Sequence, residues 1–314
     1  MRIWHTSTVR EDETDSLGHM NVRYYMERVE RANFLLMAEL GLERKALKAR
    51  GLGLSKVDSY CKYHREQFPG ATLNVLGGVL DAADDSVRTF YEVRNPAQDV
   101  HAASFIVEYA LVDVTTRERL PLSDETLRLA EKLRTPLPAY GAPRSITLDP
   151  PRTDLSFAEI AARVGDGGRS MMGALMEREI EPEFCDPQGW LRPGEDLMYG
   201  PRQRAKMQAE GHEPGPTINL TADGHRFGWA WMETRALVFQ TPRAGDRLRS
   251  IGADIALGSK TRRSRRWIFN LTTGRLAATD DMVGICLDLD ARRAIDIPPD
   301  VRRQLASVYV PEFA

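Results

Sequence analysis

Apolar side chains at Tyr25, Val29, Ala32, Leu36 and Leu40 recur at three- and four-residue steps, which predicts a helix with one buried face that stops at Gly41. The opposite side carries Glu27 and Arg31 four residues apart, a spacing expected on a solvated surface. From Leu52 to Val114 the period changes. The runs LSKVDSYCKYH, TLNVLGGVL, SVRTFYEVR and HAASFIVEYALVDV are separated by the turn-forming FPGA, ADDS and NPAQD and read as four antiparallel strands. A first strand near Ile3 to Val9 completes a β-α-β-β-β-β order, and a short helix is expected at about Ser123 to Leu133.

The stretch RTPLPAYGAPRSITLDPPR is proline-rich and suits a connection between domains. Beyond it the plan repeats. ETRALVFQTPRAGDRLRSIGADIAL, from Glu233, follows CKYHREQFPGATLNVLGGVLDAA, from Cys61, through strand, proline–glycine turn and strand. The strands and closing helix after Arg265 track those after Arg88 in the same way. A repeat of this length denotes two copies of a domain rather than a solenoid. The expected organisation is α+β, with a first domain over 1–134, a linker over 135–166 and a second domain over 167–314.

Composition narrows the class. A chain of 314 residues suits two compact cores, and a formal net charge of −2 calls for neither nucleic acid nor an anionic membrane as partner. Cys61, Cys185 and Cys286 lie far apart with no CxxC pair, and His212 and His225 show no ligand spacing, so no metal, cofactor or disulfide framework is expected. The first residues lack the apolar core of a secretory signal and no run of about 18 uncharged apolar residues occurs, so a cytoplasmic protein without a membrane span is expected.

The chemistry concentrates in EDETDSLGHMNVRYYMERVERAN, residues 11–33. A carboxylate in the loop before a helix can activate water or attack a carbonyl itself. The first turn of that helix offers unsatisfied amides and the positive end of the helix dipole to a developing oxyanion. Gly18 permits the sharp reversal that returns Asp15 over the helix start. Each residue also has a plainer reading: Asp15 or Asn21 as an N-cap, His19 as a packing histidine, Glu30 as part of a solvated charge pattern.

The string D-x-x-G-H-M-N with Tyr25 and Glu30 behind it resembles the hotdog-fold thioesterases of the 4-hydroxybenzoyl-CoA thioesterase-like superfamily, where D-x-x-G-H-x-N-N-x-x-Y precedes a helical glutamate. Over the whole chain the resemblance extends to double-hotdog proteins, in which two fused copies mimic the usual dimer. It implies two tandem hotdog domains, each an antiparallel sheet wrapped around a long central helix. It also implies acyl-CoA hydrolysis to a free acid and CoA, with Asp15 as general base or nucleophile. The backbone amide of Val22, seven residues on (22 − 15 = 7), is the implied oxyanion donor. His19 and Asn21 are orienting groups, and Gly18, Tyr25 and Glu30 border the substrate. Val22 departs from the second asparagine of the pattern, which bears on acyl preference but not on an amide's role. An acyl carrier protein in place of CoA, a hydratase or dehydratase, and a non-catalytic acyl-binding module are the alternatives. For the dehydratase, EQFPGA has glutamine where the H-F-P-G signature has histidine. A homodimer of the fused pair is compatible with all of these.

EFCDPQGWLRP, residues 183–193, reads as an altered second copy. Matching Asp186, Gly189 and Trp190 to Asp15, Gly18 and His19 puts Pro193 at the oxyanion position (193 − 186 = 7), and proline has no N–H. One working site per chain is expected, between the domains. KTRRSRR, residues 260–266, is the densest basic run. It suits either the phosphates of coenzyme A or an acidic carrier protein or, more simply, a charged strand edge. VGDGGR at 164–169 matches no phosphate-loop fingerprint, and RFGWAWM at 226–232 suits a strand lining a core or an acyl pocket.

Overall fold

The computed structural model describes residues 1–15, 17–165, 176–193, 195–198, 218–221 and 223–311. His212 and the glycine-rich 166–169 lie outside that set. The architecture is α+β, and the chain divides into two compact units, Met1–Thr147 and Leu148–Ala314.

In the first unit, strand β1 (Arg2–Thr8) leads through a loop to helix α1 (Val22–Glu39) and the short α2 (Arg44–Ala49). Strands β2 (Leu52–Tyr63), β3 (Thr72–Ala83), β4 (Ser86–Asn95) and β5 (Val100–Asp113) follow, then α3 (Asp124–Lys132). The strands run antiparallel in the order β1-β3-β4-β5-β2. The apolar stripe of α1 faces this sheet: Val29, Ala32 and Leu36 are fully buried against Val75, Val79, Val93 and Phe105. Val29 and Leu36 each contribute about 1.5–3 kcal/mol on burial. Asn33 interrupts the stripe without penalty because the Tyr91 hydroxyl donates to its Oδ1 at 2.8 Å. Glu27 pairs with Arg23 at 2.6 Å rather than with Arg31. Arg23 and Arg31 both lie four residues from Glu27, so either is a neighbour on the helix surface.

The other face of this sheet carries a polar group where residues 139–142 lie. Buried Glu92 accepts from the Tyr140 hydroxyl and, at 2.7 Å, from His101 Nδ1. Lys62 Nζ donates to Ala142 O at 2.9 Å. His64 Nε2 lies 3.0 Å from Ser104 Oγ. Burial first, then Lys62 and His101, pulls its imidazole down to about 4, against a smaller opposing pull from Glu92.

The second unit comprises α4 (Phe157–Val164), β6 (Met176–Glu179), β7 (Asn219–Leu220), β8 (Arg226–Val238), β9 (Arg247–Leu257), β10 (Thr261–Asn270), β11 (Arg275–Asp288), β12 (Arg293–Ala294) and α5 (Pro299–Ala306). Helix α4 falls within the segment read as a linker and opens on a capping box, Ser156 with Glu159. The main strands take the order β6-β9-β10-β11-β8. That is the first unit's order with each strand replaced by its counterpart.

The duplication extends to single residues. Asn95 and Asn270 (270 − 95 = 175) each cap the turn after their strand, accepting two backbone amides on Oδ1. The irregularity between Lys56 and Asp58 in β2 recurs between Trp231 and Glu233 in β8. A constant offset of 175 therefore relates the last four main strands of the two copies.

Candidate active site

The site loop begins with Glu13, whose carboxylate is buried and accepts from Arg28 Nη2 on α1 at 2.6 Å and from the Arg10 amide at 3.1 Å. Arg28 also reaches Ser7 Oγ and Thr8 O. A single guanidinium thus ties β1, the loop and the helix together. Glu13 O accepts the Asn21 amide at 2.8 Å, which closes the loop at its far end.

Between those anchors the chain folds back on itself. Asp15 N donates to His19 O at 3.0 Å and Gly18 N to Asp15 O at 2.9 Å. Gly18 adopts φ +79°, a left-handed conformation that costs glycine little. Asp15 is half-buried. Its Oδ1 accepts from Leu17 N at 2.9 Å and its Oδ2 from Asn21 Nδ2 at 3.1 Å. The opposite end of the Asn21 side chain caps α1, Oδ1 accepting from Arg23 N at 3.0 Å. Asn21 is therefore both the N-cap and the group that holds Asp15 at the helix start. The amide of Val22, the first helical residue, takes no hydrogen bond among the described residues.

The remaining residues singled out in the sequence fall into two places. His19 is buried beside Asp15: its Nδ1 donates to Met20 O at 3.1 Å and its Nε2 lies 3.3 Å from Glu66 Oε1. Tyr25 is buried beneath the loop, its hydroxyl donating to Arg65 O at 3.3 Å and its ring edge-on to Tyr63 at 5.5 Å. Burial and the nearby Glu66 push its phenol well up. Glu30 belongs to a separate group, accepting from Lys56 Nζ at 2.7 Å and Tyr109 Oη at 2.8 Å. Burial, ahead of Glu30, pushes the Tyr109 phenol up. Glu13, Arg28 and Glu66 were not anticipated. Arg28 had one readable signal, a charged residue three positions after Tyr25 on the apolar face.

The second copy of the loop keeps the backbone and loses the amide. Asp186 N donates to Trp190 O at 2.7 Å, Gly189 N to Asp186 O at 2.9 Å, and Gly189 has φ +84°. Arg192 N reaches Phe184 O at 3.1 Å, as Asn21 N reaches Glu13 O. The next residue is Pro193, with no N–H to offer. Asp186 Oδ1 accepts from the amides of its own loop, Gln188 and Trp190, and Trp190 stacks under Arg243 at 4.6 Å.

The basic strand is largely spent on ion pairs. Arg263 and Arg265 bond Asp281, and Arg266 bonds Asp280, across to β11. Gln67, in the place of the dehydratase histidine, is buried and accepts from Asn95 Nδ2 at 2.8 Å, a structural duty. Among the described residues no three histidine, cysteine or acidic side chains group closely enough for a metal ion. No helix of the described residues is long and apolar enough to cross a membrane.

Residues 9–130 match the family model of the thioesterase-like superfamily. No curated protein matches the chain by sequence. Among solved structures, the 12:0-ACP thioesterase from Umbellularia californica aligns with a TM-score of 0.60 at 10% identity, covering 90% of this chain and 93% of that one. An acyl-ACP thioesterase from Bacteroides thetaiotaomicron aligns with a TM-score of 0.57 at 8% identity, covering 89% of this chain and 96% of that one. At these identities the likeness shows the fold, and it does so along nine-tenths of the chain.

Proposed function

We propose, for a chain whose residues 9–130 match the thioesterase-like superfamily, hydrolysis of an acyl thioester at the Asp15 loop, with acyl-CoA as the substrate. The observation that carries this reading is the conjunction at the start of α1: a half-buried carboxylate fastened by Asn21, next to a helix whose first amide is unbonded among the described residues.

In this reading the thioester carbonyl oxygen is received by the Val22 amide and the positive end of α1. Asp15 draws a proton from water as the water oxygen attacks the carbonyl carbon, or attacks that carbon itself to form an acyl-aspartate that water then opens. Negative charge collects on the former carbonyl oxygen. Its collapse expels the thiolate, leaving a carboxylic acid and a thiol. Asn21 holds Asp15 with one end and the helix start with the other, so base and oxyanion donor keep a fixed separation. His19 orients the carbonyl or the water, and Gly18, Tyr25 and Glu30 border the substrate. The second copy lacks the amide at Pro193 and does no chemistry.

A second reading differs only in the carrier. Two of the structural relatives that align along nine-tenths of the chain are thioesterases of acyl carrier protein substrates, and Arg263, Arg265 and Arg266 of β10 are held in ion pairs rather than free for the phosphates of coenzyme A. Thiol release is therefore to be measured from acyl-CoAs and acyl carrier proteins of short, long and aromatic acyl groups, beside Asp15→Asn and Asp186→Ala. Turnover that needs Asp15 and tolerates Asp186→Ala supports the site. Tight binding without release, or loss of turnover with Asp186→Ala alone, overturns it.

A further inference from the structure

In the first unit the face against α1 is apolar. Val75, Val79, Val87, Tyr91 and Phe105 are all essentially fully buried there. At the offset of 175 the corresponding residues of the second unit are Ser250, Asp254, Arg262, Arg266 and Asp280. A polar band thus replaces a dry core on the same strands in the same register. Most of it is self-sufficient: Arg266 bonds Asp280, and Ser264 donates to Asp254.

Arg262 is the exception. Its side chain is only 10% exposed, and its nearest carboxylate oxygen, Asp254 Oδ2, is 3.8 Å from Nη1, beyond hydrogen-bond range. Nε is buried without a partner, and the guanidinium forms no hydrogen bond among the described residues. Burial pulls it down to about 10. One flat face lies over the Trp229 ring at 4.2 Å. A buried guanidinium short of partners is among the costlier features a fold can keep. The paired arginines on the same strand show that this sheet can supply partners where pairing is all that is needed.

The surroundings define what would complete it. The replacements Leu54 to Trp229, Lys56 to Trp231 and Tyr109 to Gly284, at the same offset, give this end of the sheet aromatic walls and remove a bulky phenol. Leu257, Arg262's partner across to β9, packs with Cys286 and Trp229 in an apolar cluster. A guanidinium with one face on an aromatic ring presents its edge as a fork for a planar anion. A single cation with Asp254 at its side suits one negative charge rather than two.

From this we infer that Arg262, with Trp229 and Trp231, forms a binding site for an organic carboxylate with an apolar body. The site belongs to the second unit and does not depend on the chemistry of the Asp15 loop.

The test uses the full chain, titrated with octanoate, with octanol as the same tail without charge, and with inorganic phosphate as charge without a tail, followed by tryptophan emission. Octanoate should saturate while the other two do not, and Arg262→Met should weaken its binding by about tenfold or more, with Arg262→Lys in between. Circular dichroism checks that both variants fold. In the unmodified protein, the Arg262 Nε–H resonance, assigned by its absence in Arg262→Lys, should shift with the same midpoint. The site is overturned if octanoate gives no saturation, if octanol matches it, if phosphate binds in its place, or if binding survives Arg262→Met unchanged. Thiol release is a separate measurement. A protein that hydrolyses thioesters yet ignores octanoate loses this site and keeps its reaction, and the converse result does the reverse.

Discussion

Asn21 has two jobs that pull in the same direction: capping a helix and gripping a carboxylate. Replacing Asp15 by Asn keeps the shape of the loop and removes the base. Thiol release is expected to fall about a hundred- to ten-thousand-fold with the melting temperature little changed. Val22→Pro is the sharper probe, because it writes the second copy's Pro193 into the first. Proline is well tolerated at the first helical position, so the fold should survive. Loss of the oxyanion amide should lower kcat about a hundred- to a thousand-fold, measured by steady-state thiol release. An unchanged kcat in Val22→Pro would remove that amide from the mechanism. Heavy-oxygen water in a single turnover tests the nucleophilic role of Asp15: label found in the Asp15 carboxylate marks an acyl-aspartate opened at the aspartyl carbon, whereas label confined to the product acid marks attack of water on the acyl carbon.

At the scale of elements, the loop is only as well placed as its attachment to α1. The Glu13–Arg28 pair is buried on both sides, about 5% of each side chain remaining exposed. Deleting one partner strands the other charge. Arg28→Met is therefore expected to cost about 3–5 kcal/mol of unfolding free energy in a urea titration. It should also lower kcat, since the loop that carries Asp15 loses its tie to the helix. The helix and the strands of the first unit were legible from periodicity because their apolar spacing is set within a few residues. Helix α4 has a sequence signal of its own, the capping box of Ser156 and Glu159. Prolines flank it in a short segment, and proline-rich sequence carries the opposite signal, that of an extended connection.

Over the whole molecule, the duplicated plan was visible as repeated strings, and the structure extends it to matching strand irregularities and matching asparagine caps. A pH dependence of stability follows from the packing over Glu92. The His64 imidazole, near 6.5 when unfolded, is pulled down to about 4 when folded. Between those values the unfolded chain binds the extra proton, so stability rises with pH across that window and is flat with respect to His64 above it. Melting curves of the wild type and His64→Asn should diverge in slope between pH 4 and pH 6.5. Parallel curves would mean that the ring is not held neutral.

The chain's order of elements, the reversal at Gly18, the candidate base at Asp15 and the missing amide at Pro193 could all be read along the sequence. Helical period, backbone freedom and the absence of an N–H are properties of a residue and its immediate neighbours. Folding alone settled which groups meet: Glu30 with Lys56 and Tyr109, Arg28 with Glu13, Arg263, Arg265 and Arg266 with Asp280 and Asp281, and Arg262 with the Trp229 ring. Those partnerships join residues far apart along the chain. They depend on strand register, where a slip of one position would turn every side chain to the opposite face.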